Sequence, residues 1–164
     1  MLSSESFIKI FRQECLVSVR LYRQMPPGGL DYRPTPGQRS TLELLRYLSF
    51  GPYNAVRRIV IGEWNAGAAT NEVTKHWPPS DFPRRMEWQG DEVARMIRAA
   101  NPLDLETKTI TFPWGETLLR SEGLVRYALN WAASYRMQLF LYLKAAGAKE
   151  LGTPDLWRPL PDMS

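Results

Sequence analysis

Two charges and a hydroxyl stand where the helical period of this chain calls for apolar side chains. Stepping at 100° per residue from about Ser4 to Gln24 puts Phe7, Ile8, Ile10, Phe11, Cys15, Val17, Val19, Leu21 and Tyr22 on one broad arc, with Glu14 and Ser18 in its middle. In the last periodic segment Arg136 occupies the middle of an arc formed by Leu118, Val125, Leu129, Ala132, Leu139, Phe140, Leu143 and Ala146. An ion withdrawn from water costs several kcal/mol unless it is paired or faces a wet cavity. The pattern therefore predicts that Glu14 and Arg136 meet inside the fold, as a structural ion pair or as part of a pocket lining.

The other reactive groups are sparse. A Ser-His-Asp relay needs a histidine, and the chain has one, His76, in a proline-flanked stretch where a surface position is the expectation. Neither Pro26 to Gly29 nor Ala66 to Thr70 has the spacing of a phosphate-cradling loop. The single cysteine, Cys15, rules out an intramolecular disulfide framework and a cysteine-based zinc cluster, and it fits a reducing, cytoplasmic setting. A net charge of +4 over 164 residues is scattered among acids, with Arg57-Arg58 and Arg84-Arg85 the tight basic pairs, so nucleic-acid binding is not expected. No apolar run is long enough to span a membrane, and the start of the chain lacks the pattern of a secretion signal.

Four helical segments must position these residues within one domain covering 1–164. The first, about Ser4 to Gln24, is stopped by Met25-Pro26-Pro27-Gly28-Gly29. The second starts near Thr35 to Gln38 and ends near Gly62, with Leu45, Leu48, Ala55, Val56 and Ile59 facing inward and a kink or break at Phe50 to Pro52. Asn65 to Pro79 reads as a loop with room for one helical turn. The third runs from a cap at Ser80 or Asp81 to Ala100, burying Phe82, Met86, Val93, Ile97 and Ala100, and Asn101-Pro102 ends it. Thr107 to Phe112 alternates like a short extended arm, and the fourth helix is expected from Glu116 to Ala146, closed by Gly147. The proline-rich tail, 149–164, should lie extended on the bundle through Leu156, Trp157 and Leu160. An all-α, antiparallel four-helix bundle is the economical architecture. Trp88, Trp114 and Trp157 could cover either a subunit interface or the chain's own core.

Asp31-Tyr32-Arg33-Pro34, the run Gln38 to Leu48, Tyr135-Arg136-Met137-Gln138-Leu139 and Tyr142 to Gly147 together resemble the DinB-like superfamily over nearly the whole chain. The resemblance implies a four-helix bundle with a long crossover connection, a bacterial homodimer and a metal pocket at one end. Metal-binding members hold zinc or nickel with one histidine on the second helix and two, four residues apart, on the last. At the matching positions this chain has Tyr47, Trp131 and Tyr135. Indole has no lone pair to give and a neutral phenol is a poor ligand for either ion, so no metal cofactor is expected.

Characterised relatives include thiol-dependent enzymes, bacillithiol transferases and mycothiol-dependent maleylpyruvate isomerase among them, where a metal would generate the thiolate. Two readings follow. One is a non-catalytic bundle whose former metal pocket, Tyr47, Trp131 and Tyr135 with Arg136 and Glu14 nearby, is packed shut or binds a small, anionic ligand. The other is a thiol-dependent S-transferase or hydrolase-like enzyme acting through other groups, or through a metal held elsewhere by His76 with Glu43 or Glu116.

Overall fold

The computed structural model describes residues 2–64 and 76–158. Ser3 opens α1 (Ser4–Tyr22) by accepting from the Ser6 amide at 3.1 Å. A 3-10 turn at Gly29–Asp31 leads to α2 (Thr41–Leu48). This second helix starts later than its period suggests, because Ser40 and Glu43 form a reciprocal capping box: the Glu43 amide donates to Ser40 Oγ (3.2 Å) and the Ser40 amide to Glu43 Oε2 (2.7 Å). The expected break is present, and α3 (Gly51–Ile61) resumes after Phe50 and ends at Gly62, whose φ of 86° is open to glycine. Arg120 closes that end, donating to the Val60 carbonyl at 2.8 Å.

A 3-10 turn, Pro79–Asp81, precedes α4 (Phe82–Ala99). Asp81 stands at the cap position, yet its side chain caps nothing; it accepts instead from Arg84 at 3.3 Å. The helix ends before Asn101-Pro102 as expected, and Asn101 then caps a short α5 (Pro102–Thr107) to which the sequence reading assigns no element. A two-strand hairpin follows, β1 (Thr109–Thr111) paired antiparallel with β2 (Thr117–Leu119), turning at Gly115. Glu116 and Leu118 thus belong to a hairpin, and the last helix begins four residues later than expected, as α6 (Arg120–Gly123). It widens into π turns over Leu124–Leu129 and continues as α7 (Asn130–Ala145), with Gly147 at its left-handed exit. The wide turn shifts the buried row to Leu124, Ala128, Ala132 and Arg136, and leaves Val125 exposed.

Ion pairs Glu5–Arg98 and Arg12–Asp91 and the Tyr22–Phe82 ring contact run α1 and α4 in opposite directions. Tyr47–Tyr135 and Gly51 against Trp131 do the same for α2–α3 and α7. Four packed pairs, α1 on α4, α1 on α7, α2 on α7 and α3 on α4, close the bundle. α3 and α4 are parallel neighbours: Leu45 and Ser49 lie by the start of α4 and Tyr53 by Trp88 and Gln89 farther along it. The expected Asn65–Pro79 loop lies mostly outside the described residues, and so does Leu160.

The predicted inner faces of α2, α3 and α4 are buried, Ala100 only partly. Besides Val125, Ile10 departs from its expected inner position at 40% exposed, and Trp157, expected to lie against the bundle, is 62% exposed. The described part of the tail, to residue 158, forms a 3-10 turn, Thr153–Leu156, rather than an extended segment, held by the buried Leu151 and Leu156. Trp88 leans on Tyr53 and Trp114 stacks on Phe112, and both keep an exposed face. No described helix is long and apolar enough to cross a membrane.

Candidate functional site

Proline at position 52 fixes where the site forms. Without an N–H it cannot bond to the Leu48 carbonyl one turn back, and the interrupted helix also strands the Tyr53 amide. The fully buried Gln89 of α4 repairs both: its Nε2 donates to the Leu48 carbonyl (3.2 Å) and its Oε1 accepts from the Tyr53 amide (2.9 Å). The break is thereby held rigid, with Tyr47, Phe50 and Gly51 turned toward α7.

A Cβ at Gly51 would sit 3.0 Å from the Trp131 ring, so glycine there is what lets the indole lie against the break. Tyr47 packs edge-on against Tyr135 at 4.9 Å between centroids, tilted against Trp131 at 5.4 Å, and edge-on against Phe50 at 5.8 Å. Tyr135 and Trp131, one turn apart, are 6.1 Å from each other. The three residues at the positions where the resemblance expects ligands therefore do converge, as a packed trio of rings. Burial, and then the neighbouring Tyr135 hydroxyl, push the Tyr47 phenol far above its usual range, so it stays protonated. Trp131 Nε1 is buried without a hydrogen-bond partner among the described residues, and it can only donate. This donor set does not fit zinc or nickel. No group of three or more His, Cys, Asp or Glu side chains suited to a metal occurs elsewhere among the described residues.

Beside the trio lies an open cleft of about 950 Å³, floored by Tyr47, Phe50, Tyr135 and Gln138 and walled by the segment from Arg33 to Arg46. The Glu43 carboxylate is already engaged: Arg33 pairs with it at 2.9 Å and the Ser40 amide donates to it. Those contacts, the backbone one first, hold its carboxyl below the usual range. Arg39 lies over the Tyr47 ring, 4.0 Å from its centroid. Arg46 spends its Nε on the Trp77 carbonyl at 3.1 Å. Neither has a carboxylate partner among the described residues, which leaves two guanidinium groups uncompensated on an aromatic floor.

Glu14 and Arg136 are together, and they are elsewhere. Arg136 is 4% exposed; its Nε donates to Glu14 Oε2 at 2.6 Å and its Nη1 to the Leu156 carbonyl of the tail. Its guanidinium lies 5.2 Å from the Trp157 ring. Ser18 donates its hydroxyl to the Glu14 carbonyl at 2.8 Å. Positions 135 and 136 are about 100° apart on the helix, which sends Tyr135 toward α2 and Arg136 toward α1. Arg136 and Glu14 thus do not line the tyrosine cleft, and Arg136 is not its anion contact. Burial pushes the Glu14 carboxyl up, against the opposing pull of Arg136.

The thiol of Cys15 is buried and pushed up to about 12, chiefly by desolvation, so it is not a nucleophile near neutral pH. His76 is exposed; Glu116 accepts from Trp114 Nε1 at 3.1 Å and from the Tyr127 hydroxyl, and no metal cluster gathers His76 with Glu43 or Glu116.

Four contributors escape a reading of the sequence for polar anomalies alone. Gln89 was within reach, because Phe82, Met86, Gln89, Val93 and Ile97 share one face and it is the polar member. Arg39 and Arg46 were not, since an arginine beside a helix cap or at a half-buried helical position carries no distinctive spacing. Gly51 reads only as a helix breaker until its neighbour is known.

No family model and no curated protein sequence matches the chain. Among solved structures, that of a DinB-like protein from Bacillus subtilis, YjoA, superposes with a TM-score of 0.66 at 15% identity, covering 89% of this chain and 95% of that one. At that identity the likeness establishes the fold: an all-α bundle of the DinB-like kind.

Proposed function

We propose that the protein is a non-catalytic small-molecule-binding bundle, cytoplasmic and homodimeric, that takes an organic anion in the cleft beside Tyr47 and Tyr135. The observation that carries this reading is the pairing of an aromatic floor with Arg39 and Arg46, two guanidinium groups that have no carboxylate among the described residues. A guanidinium fork suits a carboxylate or phosphate, and the rings suit the flat apolar part of the same molecule. Tyr47 and Tyr135, rather than serving a metal, supply the floor and hydroxyl donors.

Native mass spectrometry of the purified protein is the first test, followed by calorimetric titration with benzoate, phenyl phosphate and inorganic phosphate. Aryl anions are expected to bind, and Arg39→Ala to weaken them about tenfold or more without lowering thermal stability. Stoichiometric zinc or nickel would overturn the reading, as would a neutral aromatic compound binding as tightly as its anionic counterpart.

A further inference from the structure

From Tyr127 to Leu143 the last helix carries one charge, Arg136, and that one is buried. Its outward turns present Asn130, Ser134, Met137 and Leu141, with Ala133 half-buried beside them. A solvated helix looks different: the outward face of α4 shows Arg84, Glu87, Asp91, Arg95 and Arg98. Met137 is 39% exposed and Leu141 55%. Two further exposed apolar residues, Ile10 and Trp157, flank the same face. Ile10 is one turn before Glu14, which meets Arg136, and the Trp157 ring lies beside the Arg136 guanidinium. These four side chains leave on the order of 400 Å² of apolar surface open, about half of what one partner contributes to a standard interface. Asn130, Ser134 and Gln13 can supply a polar rim.

We propose that this face of α7 is where two copies of the chain meet, about a twofold axis passing by Met137. The proposal rests on the homodimer in the reading above and gives it a surface. A second copy is the occupant that the residues favour, because the patch complements itself. In an antiparallel pairing centred on Met137, Leu141 falls opposite Ala133 of the partner subunit, a large side chain over a small one, and symmetry repeats the contact. Lys144 then falls opposite Asn130 of the partner subunit, so no like charges are opposed along the α7 pair.

Light scattering behind size exclusion, over a concentration series of the full chain, reads the dimer itself. Leu141→Glu is expected to weaken it at least about a hundredfold, since each change introduces a charge at two symmetric contacts. Met137→Cys is expected to give a covalent dimer on mild oxidation or with a short bis-maleimide, while the wild type, whose Cys15 is buried, gives none. This second readout needs no destabilising change. A dimer that survives Leu141→Glu and leaves Met137→Cys uncross-linked overturns the surface and leaves the dimer standing. A monomer at high micromolar concentration overturns both.

Discussion

Tyr135 and Arg136 are consecutive, yet they belong to two regions that solve opposite problems. On the Tyr135 face, positions that could have held polar ligands carry rings, and the space is filled by aromatic packing that needs no counter-charge. On the Arg136 face a charge is kept inside, and the structure surrounds it with Glu14, the Leu156 carbonyl and the Trp157 ring. The first region is open to a cleft and suited to a ligand. The second is covered by the tail, and its groups are engaged with one another. Uncommitted hydrogen-bonding capacity, rather than the presence of a charge, separates a candidate site from a structural pair.

The largest expected effect breaks the closed region. Arg136→Met leaves the part-buried Glu14 carboxylate and the Leu156 carbonyl without their donor, and should cost about 2–4 kcal/mol of stability in urea unfolding near neutral pH. The double change Glu14→Gln with Arg136→Met should recover a large part of that loss, because it removes the stranded charge. If the single and double variants were equally unstable, the ion pair would not be what Arg136 is there to satisfy.

Next comes the support of the open region. Gln89→Leu keeps the volume roughly but orphans the Leu48 carbonyl and the Tyr53 amide at the helix break, at about 1–3 kcal/mol for each group left unpaired. Anion binding in the cleft should fall along with stability, since Tyr47 and Phe50 hang on that break. Gly51→Ala is a smaller and more local change. Its methyl meets the Trp131 ring at 3.0 Å, and a cost of about 1–2 kcal/mol is expected with a changed near-UV circular dichroism signal from the displaced indole. Unaltered near-UV spectra would show that Trp131 is not wedged against the break.

Helix periodicity made the bundle legible, down to the fracture at Phe50–Pro52 and the meeting of Glu14 with Arg136. It failed at the start of the last helix, because Thr117–Leu119 pairs with Thr109–Thr111 across a glycine turn, a tertiary choice that overrides an apolar helical pattern. The π turns over Leu124–Leu129 then shifted the inner arc, so Val125 was misplaced for a reason no 100° wheel contains. The site was half legible. The aromatic types at 47, 131 and 135 could be read from the sequence, whereas the arginines of the cleft became visible only once their lack of carboxylate partners could be seen. Grouping Arg136 with Tyr135 was an error of angle: adjacency in sequence is near-perpendicularity on a helix.

The smallest expected effect, and the one that separates the two carboxylates holding the tail, is its response to pH. Asp155 accepts from the Gly152 amide (2.9 Å) and from Arg20 (2.8 Å), and these bonds hold its carboxyl below the ordinary 3.8. Its contribution is present at neutral pH and is lost as pH falls through that lowered value. Glu14 has the opposite sign. Burial raises its carboxyl above 4.5, so the folded state takes up a proton more readily than the unfolded chain, and stability from this group is present below 4.5 and lost as pH rises through the raised value. Acidification therefore weakens the tail at Asp155 while relieving the strain of a buried charge at Glu14. Melting temperatures recorded from neutral pH down to about pH 3 should fall more steeply for Glu14→Gln than for the wild type, because the proton-linked gain is gone, and less steeply for Asp155→Asn. A Glu14→Gln variant that tracked the wild type throughout would mean that Arg136 offsets the whole cost of burial, and the closed region would then be as well satisfied as the open one is underused.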